Sequence, residues 1–294
     1  LFYLCNKMNI PIFIVNARLS DKKIIYYIRF KKLFYEIINK VWILCSSGEY
    51  KKRFVDIGAS EEKVFVMGNM KFDLNFPEEN KLSQFKISIR DFLKDGIKIW
   101  IAGSVREGEE EKILKCQKEI SQHIENAKLI IAPRHLNRVG KIIEMCAKLG
   151  LKVILRSEFP SKEWDVLILD TYGELMYAYS LASIAFVGGS LEKFGGQNPL
   201  EPAIHRSAVL IGESFENFYE EVKTMEKNGG VLIVKDENEL AEKIMFLFNN
   251  EEDRIRIAEN GFRIIALCKG ATEKNASFIS EKLCYQNESC ASIK

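Results

Sequence analysis

Short apolar runs that alternate with longer helical patterns predict an α/β fold built on parallel sheets. Residues 97–102, 128–132 and 184–187 are apolar runs of strand length, and a helical pattern follows each of them. From residue 96 onwards this alternation gives about six strands, which is enough for one doubly wound domain. Residues 1–74 give three further strands, about half of a second domain of this kind.

The break between the two series of strands falls in residues 75–95. This segment has no strand pattern and contains Pro77 within a cluster of Glu, Asn and Lys residues. We therefore predict part of a first domain over residues 1–74, a linker with a short helix over 75–95, and a second domain over 96–294.

The composition is that of an ordinary globular protein. Of the 294 residues, 47% are apolar and 29% are charged, and the net charge of +2 gives no indication of nucleic-acid binding. Seven scattered cysteines without a CxxC pair favour a reducing, cytosolic compartment. The three histidines lack metal-ligand spacing, so no metal site is expected. No apolar run reaches the roughly 20 residues that a membrane-spanning helix needs.

Residues 184–203 have the strongest character of a binding site. A strand-like run leads into a loop that contains Gly195 and Gly196, and a helix-start pattern follows. Glycines let backbone N–H groups approach a ligand, and a helix N-terminus carries partial positive charge. The arrangement suits a phosphate or another anion, although α/β proteins also use it where nothing binds.

The helix start itself is the segment Asn198-Pro199-Leu200-Glu201. Asn198 suits the N-cap, Pro199 suits the first helical position, and Glu201 suits the acidic position of a capping box. Two roles therefore remain open for Glu201, which either caps its helix or accepts hydrogen bonds from sugar hydroxyls.

Further unusual residues follow the ends of predicted strands, which is where open parallel sheets bind ligands. Arg134 offers a planar fork for a phosphate or carboxylate, unless it forms a surface ion pair. Tyr172 either stacks on a nucleotide base or packs against the sheet, and His135 is expected to be a packed or hydrogen-bonded neighbour. The strand-end residues are Gly103, Ser104, Pro133, Arg134, Tyr172, Gly173 and Glu174.

Six blocks of the chain, in order, resemble blocks of the bacterial 3-deoxy-D-manno-octulosonic acid (Kdo) transferases. The blocks are NARLS (16–20), GNMKFD (68–73), GSVREGEE (103–110), PRH (133–135), DTYGEL (170–175) and VGGSLEKFGGQNPLEPA (187–203). The resemblance implies a GT-B type fold of two Rossmann-like, doubly wound domains, of which the first is incomplete in this chain. The first domain would bind the acceptor, and the second would bind the donor.

The resemblance further implies an inverting, metal-independent glycosyltransferase. Such an enzyme moves Kdo from CMP-Kdo to a lipid A precursor, lipid IVA, in lipopolysaccharide core biosynthesis, and it needs no cofactor beyond the donor substrate. Because the acceptor is a lipid, the expected location is the cytoplasmic face of the inner membrane. The basic helical pattern over residues 21–40 is either a solvated face or a contact with anionic lipid headgroups.

Carried over position by position, the resemblance implies that three loops contact CMP. The loops contribute Pro133 and Arg134, then Tyr172, Gly173 and Glu174, and then Asn198, Pro199, Leu200 and Glu201. Lys71 would offset negative charge as CMP leaves. The residues that would border the site are Gly103, Ser104, Gly195, Gly196 and Arg18.

The chain also departs from the pattern that it resembles. It has Arg106, Tyr172 and Gln197 where the family usually has His, Met and His. The general-base glutamate of the family has no counterpart in this sequence, so we expect a truncated transferase that binds CMP but transfers Kdo poorly on its own. Two alternatives remain, namely a GT-B transferase for another nucleotide sugar and a non-catalytic nucleotide-binding module.

Overall fold

The computed structural model describes residues 1–29, 35, 37–90, 96–158 and 163–291. The chain divides into two units, of which the first comprises Leu1–Asp73 and Cys268–Lys294 and the second comprises Leu74–Leu267. Both units are built on parallel β-sheets, so the predicted α/β class is confirmed.

The first unit contains a parallel sheet of three described strands, which lie in chain order. The strands are β1 (Phe13–Ala17), β2 (Trp42–Cys45) and β3 (Val64–Val66). Helices α1 (Phe2–Lys7), α2 (Asp21–Arg29) and α3 (Gly48–Asp56) belong to the same unit. Ile43 of the central strand is fully buried and packs with Phe54 and Ile57, because apolar side chains of α3 cover that face of the sheet.

The predicted basic helix of residues 21–40 is described only in part. Helix α2 covers Asp21–Arg29, while residues 30–34 and 36 and the side chains of Lys22 and Lys23 lie outside the described part of the chain. Lys31 and Lys32 of the predicted lipid contact are therefore not placed. None of the helices described here is both long enough and apolar enough to cross a lipid bilayer.

Seven described strands form the parallel sheet of the second unit, one more than the sequence indicates. The strands are β4 (Lys98–Val105), β5 (Ala127–Pro133), β6 (Val153–Leu155), β7 (Val166–Ile168), β8 (Ile184–Val187), β9 (Ala208–Gly212) and β10 (Leu232–Val234). Their spatial order is β10-β9-β8-β4-β5-β7-β6. The chain thus completes one side of the sheet with β5, β6 and β7, and then returns to start the other side with β8. This reversal makes the boundary between β4 and β8 the topological switch point, where doubly wound sheets bind ligands.

The strands of the second unit alternate with helices, as expected for a doubly wound sheet. The helices are α4 (Glu79–Arg90), α5 (Glu109–His123), α6 (Val139–Leu149), α7 (Leu175–Ala178), α8 (Leu200–Ile204), α9 (Tyr219–Lys227), α10 (Glu237–Asn249) and α11 (Glu251–Cys268). Successive residues of β4 point to opposite faces, so Trp100 joins one apolar core and Ile101 joins the other. The Trp100 indole N–H donates to Gln117 Oε1 at 2.7 Å, which satisfies both buried polar groups.

Two boundaries differ from those that the sequence predicts. The predicted linker, 75–95, contains α4, whose Phe85 and Ile89 are buried in the core of the second unit. The predicted second domain, 96–294, includes helix α12 (Ala271–Ala291), but α12 belongs to the first unit. Its Phe278 ring lies 4.8 Å from the ring of Phe65 and 5.7 Å from that of Trp42, between ring centroids. These aromatic contacts are long-range in sequence, so the helical pattern alone does not reveal them.

Candidate functional site

The carboxyl ends of β4, β5 and β7 enclose a pocket of about 130 Å³ in the second unit. Five residues of the predicted site line it, namely Ser104, Pro133, Arg134, Tyr172 and Gly173. Four apolar side chains and Thr171 complete the lining. The pocket is smaller than the roughly 300 Å³ at which complete ligand sites begin. It therefore fits one ring-sized part of a ligand, with the remainder lying outside.

Arg134 and Tyr172 present polar and aromatic groups that the protein itself does not use. Within the described residues, the Arg134 guanidinium makes no hydrogen bond or ion pair, although the Arg134 backbone N–H donates to Val105 O at 2.8 Å. The surface ion pair that was the alternative for Arg134 is therefore absent from the described structure. Tyr172 is 85% exposed, so it does not pack against the sheet. Both side chains are free to meet a ligand.

Both carboxylate oxygens of Glu174 accept hydrogen bonds within the protein. One carboxylate oxygen accepts from Thr171 Oγ1, and the other accepts from Arg156 Nη2 at 3.0 Å. The carboxylate thus braces the loop after β7, and its contact with a nucleotide stays a prediction. The neighbouring Gly173 has φ +80° with open space around it, so glycine serves the turn here and leaves the pocket uncovered.

The ends of β4 and β8 approach each other so closely that side chains are excluded. A Cβ on Gly188 would lie 2.7 Å from Ser104 O, and a Cβ on Gly103 would lie 1.9 Å from the hydroxyl of the buried Tyr179. Ser104 has φ +55° at an irregularity in the β4 register, which turns the chain towards the pocket. Gly103 is therefore a packing glycine, and Ser104 is the residue of this pair that lines the pocket.

Glu109, the first residue of α5, is the best-satisfied buried charge near the switch point. Its side chain is fully buried, and Oε1 accepts the N–H groups of Ser190 and Leu191 at 2.8 and 2.9 Å. Oε2 accepts those of Gly189 and Arg106 at 2.7 and 2.8 Å. The glycine loop after β8 does bind an anion, but that anion is a side chain of the same chain.

The backbone N–H groups of the second glycine pair also have acceptors within the protein. Gly195 and Gly196 have φ values of +81° and +73°, and both are buried. The Gly195 N–H donates to Ser214 Oγ at 2.9 Å, and the Gly196 N–H donates to Gly189 O at 2.7 Å. Because these N–H groups already have acceptors, they are not available to a phosphate. The prediction that the glycine loop offers its backbone to an anionic ligand is thus wrong for these residues.

The helix start at residues 198–201 differs in detail from the predicted capping box. Helix α8 begins at Leu200 and has only five residues, with the buried Pro199 in the N-cap position. Asn198 Oδ1 accepts the Leu200 N–H at 3.1 Å, as a capping residue would. The Glu201 carboxylate does not accept a hydrogen bond from a backbone N–H, as a capping box requires. Its Oε1 instead accepts from Asn198 Nδ2 at 3.2 Å. The second role that the sequence leaves open for Glu201, hydroxyl binding, therefore remains available.

Electrostatics connect Glu201 to the pocket. Burial raises the pKa of the Glu201 carboxyl, while the Asn198 amide and the positive charge of Arg134 act in the opposite direction. Burial and the nearby Glu201 charge also raise the pKa of Tyr179, whose hydroxyl faces Gly103. A half-buried carboxylate is thus held within electrostatic reach of the Arg134 guanidinium, near the end of β4.

In the first unit, the predicted blocks 16–20 and 68–73 meet beyond the carboxyl end of the sheet. The Arg18 guanidinium donates to Asn69 Oδ1 at 2.6 Å, and the same oxygen accepts the Lys71 N–H at 3.0 Å. Asn16, with φ +49°, accepts the Met70 N–H at 3.3 Å. Arg18 and Asn69 therefore order the turn that carries Lys71.

The fold is that of the GT-B class of glycosyltransferases. The C-terminal CMP-Kdo binding domain of WaaA from Acinetobacter baumannii superimposes with a TM-score of 0.61 at 24% identity, over 64% of this chain and 99% of that domain. HepE of Anabaena in complex with UDP-glucose gives a TM-score of 0.55 at 12% identity, over 97% of this chain and 75% of that one. At these identities the likeness is one of fold.

Sequence comparison gives matches to Kdo transferases. Residues 1–74 match the family model described as 3-deoxy-D-manno-octulosonic-acid transferase (kdotransferase). The 3-deoxy-D-manno-octulosonic acid transferase of Haemophilus influenzae is 34% identical over 270 residues, which cover 90% of this chain and 63% of that protein. The chain is thus similar to Kdo transferases, and it spans 63% of the length of this relative.

Proposed function

We propose that the chain serves the transfer of Kdo from CMP-Kdo to a lipid A precursor by an inverting, metal-independent mechanism, and that it binds the donor but transfers Kdo poorly on its own. Similarity to the Kdo transferase of Haemophilus influenzae supports the sugar, and the structural neighbour from Acinetobacter baumannii is itself a CMP-Kdo binding domain. The observation that carries the proposal is the convergence of three strand-end loops on one pocket, with the unpaired Arg134 and the exposed Tyr172 at its edge.

Different residues at the pocket suit the base, the phosphate and the ribose of the donor. Its apolar lining and the exposed Tyr172 ring suit a pyrimidine base, because stacking needs a free aromatic face. The Arg134 guanidinium suits the phosphate, since its planar fork can form two parallel hydrogen bonds. Glu201 suits the ribose hydroxyls as an acceptor, and the positive charge of Arg134 acts to lower the pKa of the Glu201 carboxyl.

Lys71 has the complementary role in the proposed reaction. The acceptor hydroxyl gives its proton to a general base as its oxygen attacks the anomeric carbon of Kdo. The bond from that carbon to the phosphate oxygen breaks, and CMP leaves with added negative charge. A lysine ammonium offsets such charge most effectively when its backbone is fixed beforehand. The hydrogen bonds from Arg18 and Lys71 to Asn69 fix the turn in this way.

Calorimetric titration with CMP, and with UMP for comparison, tests the donor assignment. We expect CMP to bind more tightly than UMP, and Arg134→Gln and Glu201→Ala each to weaken CMP binding about tenfold or more. Arg256→Gln is the matched control, because this exposed arginine only pairs with Asp253 on α11. Equal affinity for CMP in the wild type and in the Arg134→Gln variant would contradict the proposal, and preference for UMP would favour another nucleotide sugar.

The proposed lipid acceptor requires a membrane surface, and we place the protein on the cytoplasmic face of the inner membrane. Helix α2 exposes Ile25, Tyr26 and Ile28, and its last residue is Arg29. Exposed apolar and aromatic groups beside a cation suit insertion at anionic headgroups.

Flotation with vesicles that contain an anionic phospholipid tests this placement. Replacing Ile25 and Tyr26 by Ser is expected to reduce the bound fraction about fivefold to tenfold, because both side chains would lose apolar burial. Ile87→Ser is the control, since Ile87 is 70% exposed on α4 of the other unit. Unchanged binding of the double variant would exclude α2 as the contact.

A further inference from the structure

Two arginines directly follow adjacent, hydrogen-bonded strands, and one of them, Arg134, lines the pocket. Val105 of β4 pairs in register with Pro133 of β5, and Arg106 and Arg134 are the next residues of the two strands. Among the described residues, no carboxylate forms an ion pair with either guanidinium. The Glu109 carboxylate accepts the backbone N–H of Arg106, not its guanidinium. Neighbouring like charges disfavour each other. Two arginines without a carboxylate partner at neighbouring strand ends suit a ligand that supplies two negative groups.

The Arg106 guanidinium is fixed in position before any ligand binds. It lies over the Phe194 ring, 4.6 Å from the centroid, and its Nη1 is 3.4 Å from His135 Nε2. Cation–π contact and one hydrogen bond leave most of the five guanidinium donors unused. An arginine held in this way loses little conformational entropy when it binds a planar acceptor such as a carboxylate.

Backbone groups at this position cannot take over the recognition of an anion. The N–H groups of Gly189, Ser190 and Leu191 all donate to Glu109, so only side chains remain. A Cβ on Gly189 would lie 3.3 Å from Arg106 Cγ and 3.4 Å from Gln197 Nε2. Arg106 and Gln197 therefore flank the same glycine.

We infer that Arg106, held by Phe194 and His135 and flanked by Gln197, forms the subsite for the carboxylate of an acidic sugar donor. This inference rests on the proposed function, in which Arg134 binds the phosphate of the same molecule. The donor then carries two anionic groups, one for each guanidinium. Arg106 thereby selects an acidic sugar over a neutral one, whereas the pocket selects the nucleotide.

Binding of two probes to the whole chain separates these roles. CMP-Kdo carries a phosphodiester and a carboxylate, while the methyl ester of CMP carries the same single phosphodiester charge and no carboxylate. We expect Arg106→Gln to weaken CMP-Kdo binding about tenfold to hundredfold and to change binding of the methyl ester less than about threefold. Arg106→Lys is expected to restore part of the loss, because it keeps the charge but not the fork. Arg134→Gln is the control that should weaken both probes.

The possible outcomes distinguish the inference from the proposed function. Equal weakening of both probes by Arg106→Gln would place Arg106 at the phosphate and overturn the carboxylate subsite. No effect on either probe, with a thermal unfolding midpoint like that of the wild type, would overturn it as well. In both cases the CMP site would stand. Failure of the folded wild-type chain to bind either probe would overturn the proposed function, and the subsite with it.

Discussion

Replacing Glu109 by Gln is expected to lower the free energy of unfolding by about 3–5 kcal/mol, although the two side chains have nearly the same shape. The carboxylate accepts four backbone N–H groups, two at each oxygen. A glutamine amide offers one oxygen, and its NH₂ group would face two N–H donors. Two buried donors would then lack acceptors, and the site is fully buried, so water cannot replace them.

Urea denaturation of the second unit measures this effect. Glu111→Gln is the matched control, because Glu111 lies two residues further along the same helix, is largely exposed and pairs with Lys115 at 2.9 Å. An exposed pair of this kind contributes about 0.5 kcal/mol or less. If the two substitutions lower the free energy of unfolding equally, the four hydrogen bonds to Glu109 do not hold the loop after β8.

The same substitution is expected to weaken nucleotide binding in molecules that remain folded. Glu109 joins the loop after β4 to the loop after β8, which continues through Gly195 to Glu201. Loosening that connection lets Ser104 and Glu201 move relative to Arg134. The loss of CMP affinity should therefore exceed that of the Glu111→Gln control, whose side chain is not part of this connection.

The sequence predicts those residues of the site that lie at the ends of strands. Ser104, Pro133, Arg134, Tyr172 and Gly173 each follow an apolar run, and carboxyl ends of parallel strands meet at one edge of a sheet. Local pattern is therefore enough to place them together. It also shows which residues carry charge or an aromatic ring, and hence which chemistry the edge offers.

The part that the sequence does not predict depends on which partner satisfies each polar group. A glycine loop before a helix start suggests free N–H groups, yet those of Gly189 and Gly196 bond within the protein. Three consecutive glutamates, Glu109 to Glu111, open α5, and the spacing does not say that the first two are buried or which of them binds the loop after β8. Glu109 binds the N–H groups of the loop after β8 because β4 and β8 approach each other closely. The Arg106 contact with Phe194 is hidden for the same reason, because it joins two loops that lie 88 positions apart in the chain.

The second large effect is expected at Asp73, where Asp73→Asn should lower the free energy of unfolding by about 2 kcal/mol. The Asp73 carboxylate accepts the N–H groups of Gly270 and Thr272 at the start of α12. Those groups lack partners within the helix, and the carboxylate also complements the helix dipole. The asparagine retains one acceptor oxygen and no charge, so α12 should hold less firmly to the first unit.

Hydrogen exchange at the first turns of α12 localises the loss, since faster exchange should begin at Thr272 and spread along the helix. Glu273→Gln is the matched control, because Glu273 is exposed in the same first turn and only its charge would be lost. Unaltered exchange in the Asp73→Asn variant would show that the aromatic contacts of Phe278 alone hold the helix.

The contribution of Asp73 should also depend on pH in a definite direction. Burial opposes ionisation of Asp73, but hydrogen bonds from Thr272 and from the N–H groups of residues 270–272 outweigh it, so the pKa of the carboxyl lies below its ordinary value. A lowered pKa in the folded state stabilises the fold above the unfolded-state pKa of about 3.9, and this stabilisation is lost as the pH falls through the lower, folded-state pKa. The difference in unfolding free energy between the wild type and Asp73→Asn should therefore be constant from pH 7 to about pH 5 and shrink below about pH 4. A difference that grows on acidification would contradict this account of the cap.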